Sequence, residues 1–196
     1  HQEAIQWYQH NISLCTEHTE QIRFSLIALG NEYNLLGMSA KAVEAWLTAY
    51  DHQPQNPESL VILAEHFLTH KRHHLAFDFA LKSTQLPPPS VDNTVVFNED
   101  TFRYGSWNAL LRSALHLKKW DIAYQSTKHL LYEPEYDVRL NGFLLSALLL
   151  LSSKLQQDSA DEKSRLCQKI RSLQSVDDAI KVNQNKLMAL LDPTSV

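Results

Sequence analysis

Four histidines, His66, His70, His73 and His74, are the densest group of ligand-type side chains in this 196-residue chain. His66 to His70 and His70 to His74 are each spaced i, i+4, which on a helix brings two imidazoles to one face and suits a metal ion. Lys71 and Arg72 interrupt the set with positive charge, and the favoured reading is a solvated turn between helices, with a metal site as its alternative. Neither a metal nor a cofactor is expected. Cys15 and Cys167 stand alone, without the paired spacing of a zinc or redox motif, and read as buried or half-buried thiols. Such thiols suit a reducing compartment, hence a cytoplasmic location. Glu135, Asp137 and the acids of 89–101 have no visible catalytic partner, and no nucleophile elbow, zinc-protease helix or kinase signature occurs. No catalytic residue is therefore expected in this chain.

The elements that position these side chains must be helices. Four glycines leave no phosphate-cradling loop and few tight strand turns. A 44% hydrophobic content supports one sizeable core, or a continuous core along a stack of repeats. A net charge of -4 and a pI near 6.2 provide no basic field for a phosphate backbone, so no nucleic-acid partner is expected. The longest apolar run, Phe143 to Leu151, is interrupted by Ser146 and falls well short of the ~20 residues that span a bilayer. No transmembrane segment or signal peptide is expected.

A ruler for these helices lies in Leu29, Gly30, Tyr33, Gly37, Ala42, Trp46, Ala49 and Pro54. Small residues where two helices cross, large ones between them and a closing proline resemble the tetratricopeptide repeat, a helix–turn–helix unit of 34 residues. Adding 34 carries Gly30 to Ala64, Tyr33 to Phe67, Ala42 to Ala76 and Pro54 to Pro88. Ala123 follows Ala76 by 47, one period plus an insertion of 13. The expected architecture is an all-α, right-handed helical-hairpin solenoid with C-terminal capping helices. Residues 1–135 hold the repeats: a partial repeat at 1–18, then about 20–54, 57–88 and 103–135, with an insertion at 89–101. Residues 136–196 are the capping helices. The first helix of the partial repeat is missing, so the chain is expected to begin inside a domain.

Local signals refine the ends. Thr19 and Ser39 are expected N-caps, Gly37 a left-handed terminator, and Asn56-Pro57 a helix start. The insertion is too polar for a helix up to Thr101, with Val95, Val96 and Phe97 pinning it to the repeats. Beyond Pro134 one long helix is expected, about Tyr136 to Gln156. Ser159 and Glu162 then form a capping box, and Ser175 begins the last helix.

In stacked repeats the first helices line the concave side, and their second, fifth, ninth and twelfth positions face a groove. These positions give Ile27, Asn31 and Asn34, then Glu58, Val61, Glu65 and Leu68, then Asn108, Arg112 and Leu115. Amides, an acid and a base suit an extended peptide or protein partner, or an adjoining catalytic domain. The fifth positions hold Ile27, Val61 and Asn108, not the lysines that clamp a terminal carboxylate in chaperone-binding members of the repeat family.

Whole phrases carry a second resemblance. Ala4-Ile5-Gln6-Trp7-Tyr8, the stretch Ala42 to Pro54, Leu75 to Lys82 leading into prolines, and Val95 to Asp100 are followed by Ala109 and Trp120-Asp121-Ile122-Ala123. In this order, over roughly residues 4–135, the chain resembles the tetratricopeptide region that follows the catalytic domain of bacterial family 2 glycosyltransferases. The resemblance implies a parent protein that transfers a sugar from a nucleotide-sugar, with these repeats docking the acceptor, the catalytic domain or a subunit. It carries over no catalytic residue, since the Asp-x-Asp motif of such enzymes would lie upstream. The C-terminal helices depart from the family pattern. The alternative is a free-standing adaptor or regulator with no linked enzyme.

Overall fold

The computed structural model describes residues 1–15, 19–87, 100–133, 138–173 and 177–191, and these are helical, with no strand among them. They form two compact units, His1–Ala109 and Leu110–Val196.

The first unit contains α1 (Gln2–Leu14), α2 (Thr19–Leu35), α3 (Ser39–His52), α4 (Glu58–Thr69) and α5 (His73–Thr84). A π-helical turn, Thr101–Gly105, then enters α6 (Ser106–His116), within which the boundary between the units falls. Neighbouring helices pack in pairs, α2 with α3 and α4 with α5. The bends that create these pairs are made alike. Gly37, at φ 73°, ends α2 in the left-handed region that a residue without Cβ enters cheaply. Its N–H donates to Asn34 O (3.0 Å) and the Met38 N–H to Tyr33 O (2.8 Å). Lys71, at φ 58°, repeats this, with N–H bonds to Leu68 O (3.0 Å) and from Arg72 to Phe67 O (2.8 Å).

Inside the first pair the helices meet at Gly30. A Cβ placed there would lie 2.3 Å from Trp46 Nε1 and 2.5 Å from Cδ1. The indole is 2% exposed, donates to Ile27 O (3.3 Å), and packs with Ala42 and Leu63 against Tyr33, Val43, Phe67 and Phe79. In the second pair Phe67 and Phe79 stack at 5.6 Å, while Ala64, Ala76 and Ala80 are fully buried. α4 starts as expected: Asn56 Oδ1 accepts from the Glu58 N–H (2.9 Å), one of the donors a helix start leaves without an internal partner.

The second unit continues α6 and adds α7 (Trp120–Tyr132), a 3-10 turn (Val138–Leu140), α8 (Asn141–Leu150), α9 (Ser152–Leu155), α10 (Ala160–Ser172) and α11 (Asp178–Leu191). The bend before α7 follows the same plan: Lys118 has φ 56°, its N–H donates to Leu115 O (3.2 Å), and Lys119 N–H donates to Ala114 O (2.9 Å). α8 is apolar nearly all round and packs on α7 and α11, burying Leu144, Leu145 and Leu148. Ser159 and Glu162 form the expected capping box at the start of α10.

Several expectations are corrected. Ser39 lies inside α3, whose N-cap position is Met38 with no capping side chain. The expected long helix to Gln156 is broken at Leu151 (φ -96°, ψ 21°). That break keeps Leu151 and Leu155 buried and lets Lys154 reach Asp121 of α7 at 2.6 Å. The polar insertion does not extend to Thr101, because Asp100 and Thr101 are already helical. Val95, Val96, Phe97, Glu135, Asp137 and Ser175 lie outside the described residues.

Candidate functional site

The expected binding positions divide once the packing of α2 against its neighbours is seen. Arg23, fully buried, ion-pairs with Glu58 at the start of α4, its Nη1 2.5 Å from Oε2. Near the other end of the same two helices, His66 Nδ1 lies 3.1 Å from Asn34 Oδ1. Start meets start and end meets end, so α2 and α4 run parallel. Asn34 and Glu58 are therefore bonded between the two hairpins. Ile27 and Leu68 are corrected outright: at 6% and 7% exposed they are core. Ile27 packs with Ile22, Leu26 and Ala49 because the α2 stripe that would have faced a groove turns toward α3. Val61 is half-buried and meets the π-turn, its Cγ1 3.6 Å from the place of a Cβ on Gly105.

At the ninth position of the first unit Asn31 is exposed and Glu65, 34 residues on, is half-buried; Asn34 is exposed as well, although it bonds His66, and Glu58 and Val61 are half-buried. Asn108 is also half-buried, and its Oδ1 has no hydrogen-bond partner among the described residues. A buried carbonyl oxygen without a partner costs about 1–3 kcal/mol and accepts a donor readily. In the second unit Arg112, the same repeat position, and Leu115 are half-buried.

The histidines separate too. His66 is buried between the Trp46 ring (centroids 5.2 Å apart) and the Phe67 ring (5.5 Å). Since Asn34 Oδ1 can only accept, His66 Nδ1 carries the proton. Burial, reinforced by His70, holds its pKa below the ordinary 6.5, so the ring is neutral near pH 7. His70 Nδ1 bonds back to His66 O (2.8 Å), and His70 and His74 are exposed. No group of three metal-ligating side chains converges among the described residues. His66 thus serves in a clasp between hairpins, while His70 and His74 are exposed at the bend, as the reading of a turn between helices expects.

Sequence reasoning missed a cleft of about 540 Å³ between α1 and α2, lined by Trp7, Tyr8, Asn11, Phe24, Ser25 and Ala28. Trp7 is 62% and Phe24 42% exposed, and Arg23 lies 4.7 Å from the Phe24 ring centroid. Asn11 Nδ2 donates to Ser25 Oγ (2.8 Å) at the floor. Phe24 is the second position of its helix, equivalent to Glu58 by the step of 34, so the register could have nominated it.

A polar cluster fills the second unit between α7 and α10. Tyr124 OH donates to Asp158 Oδ2 (2.6 Å), and Lys128 Nζ lies 3.4 Å from that oxygen and 3.2 Å from Glu162 Oε1. Burial, then the bond to Asp158, pushes the Tyr124 phenol far up, while the Lys128 hydrogen bond lowers Glu162. A phenol held protonated is no base, and a lysine between two carboxylates is a poor nucleophile, so this cluster ties elements together. No model of a known protein family matches the chain, and no curated protein matches it.

Proposed function

We propose that the chain is a non-catalytic interaction module of tetratricopeptide type, binding an extended peptide or a neighbouring protein domain. The observation that carries this reading is the recurrence of one bend at Gly37, Lys71 and Lys118, in steps of 34 and 47, with the same left-handed residue and the same pair of hydrogen bonds. A chain that makes the same bend three times would present the same helix positions three times. The ninth position then offers Asn31 and Glu65 in the first unit and Arg112 in the second. An amide and an acid on adjoining hairpins can bond a peptide backbone and read its charges. The polar clusters that resemble catalytic sites, at His66 and at Lys128, are occupied in holding helices together.

On the resemblance to the region following family 2 catalytic domains, we further infer that the module belongs to a nucleotide-sugar-dependent glycosyltransferase and docks its acceptor, its catalytic domain or a subunit. Selection of a displayed random-peptide library on the full chain tests the binding role. Enriched peptides should compete for one surface and lose affinity in Asn31→Ala/Glu65→Ala; enrichment of none contradicts the role. Incubation with nucleotide-sugars should give no turnover. A coding sequence before His1 without a nucleotide-sugar-binding domain would sink the glycosyltransferase assignment and leave the adaptor reading.

A further inference from the structure

The two bends of the first unit lie side by side. Because α2 and α4 run parallel, clasped by Arg23–Glu58 at one end and Asn34–His66 at the other, Leu35–Met38 and His70–His73 leave the helices at the same end. The His70 ring lies 4.2 Å from the His66 ring, so the second bend sits one helical turn beyond that clasp.

This end is unusual in what it exposes. Leu35 is 67%, Leu36 38%, Met38 45% and Leu75 46% exposed. Scattered exposed leucines need no explanation, but four apolar side chains gathered at two adjoining bends mark a surface meant to be covered. The first bend stands proud: a Cβ on Gly37 would meet no atom within 4 Å. Charge is segregated here as well. Lys41, Lys71 and Arg72 lie in the stretches Tyr33–Val43 and His66–Phe77, which contain no Asp or Glu and are bounded by Glu32, Glu44, Glu65 and Asp78. Yet acids outnumber Lys and Arg by 22 to 18 in the whole chain, so the local excess of cations is not a reflection of composition.

A protruding apolar tip flanked by cations complements an anionic lipid surface, where Leu and Met enter the headgroup–acyl boundary while Lys and Arg meet lipid phosphates and carboxylates. We propose that these two bends form a membrane-docking edge for anionic lipids. Attachment is peripheral, since among the described residues no helix is long and apolar enough to cross a bilayer.

Flotation of the full chain with phosphatidylserine–phosphatidylcholine vesicles, against pure phosphatidylcholine, tests this. The chain should float with the anionic vesicles and be released by salt. Each surface cation strengthens such binding about fivefold, so Lys71→Gln/Arg72→Gln should weaken it about 25-fold. Leu35→Ser/Leu36→Ser should weaken it at least about tenfold. All four side chains are exposed, so both variants should keep the wild-type melting curve. Equal flotation with neutral and anionic vesicles, or flotation unchanged in either folded variant, overturns the proposal. Binding to polyglutamate without binding to vesicles, lost in Lys71→Gln/Arg72→Gln, overturns it in favour of an acidic protein partner. Peptide binding at Asn31 and Glu65 is a separate property and should survive both variants.

Discussion

Gly30 has no side chain because the Trp46 indole occupies the space one would take, 2.3 Å from the position of a Cβ. Helix propensity alone favours alanine there by about 1 kcal/mol. Overpacking a buried ring costs about 1–3 kcal/mol, and here it also threatens the Trp46 bond to Ile27 O. Gly30→Ala should therefore lower stability in urea unfolding by about 1–2 kcal/mol; a gain would mean that the ring yields freely. His66 offers a second test at this scale. Its pKa is lowered in the folded chain, so the unfolded chain takes up the proton first as pH falls through about 6.5. The contribution is fully present above that pH and is lost progressively below it, down to the folded value. His129, also lowered by burial, adds to the same slope. Urea midpoints between about pH 7.5 and about pH 5.5 should fall further in wild type than in His66→Gln, and equal falls would contradict the burial argument. Gly30 was legible in the sequence because spacing alone names a crossing point. His66 was not, because i, i+4 spacing puts two rings on one face without saying what covers that face.

At the level of elements, the bends were the most legible feature and the helix interiors the least. Gly37 announced its left-handed turn by residue type; the structure adds Lys71 and Lys118, 34 and then 47 residues on, in the same conformation, which their residue types do not announce. A lysine in that region is strained where glycine is not, so Lys118→Gly should stabilise the chain by about 0.5–1 kcal/mol, reduced by the greater freedom of glycine when unfolded. A loss of stability would show that the Lys118 side chain contributes more than its backbone strain costs. Ser39 illustrates the limit of cap signals, since a serine one residue inside a helix looks the same in sequence as one at its cap. The break at Leu151 was hidden because apolar periodicity continues through it; the ion pair from Lys154 to Asp121, 33 residues back, is a tertiary fact.

For the whole molecule, an all-helical chain of paired helices was readable from glycine shortage and repeat spacing. The binding surface was readable only in part. Periodicity identifies which positions share a helix face, but Ile27 and Leu68 are core, and Asn34 and Glu58 are bonded between helices, because neighbouring elements cover part of that face. Asn31, exposed, and Glu65, half-buried, share the repeated ninth position in the first unit, and the proposed peptide binding is tested there. Calorimetric titration of a library-selected peptide into wild type and into Asn31→Ala/Glu65→Ala tests that claim most directly. Truncating two polar side chains that bond the peptide should weaken binding at least about tenfold, or about 1.4 kcal/mol, in a variant that still unfolds cooperatively. Equal affinity in a folded variant would contradict the account.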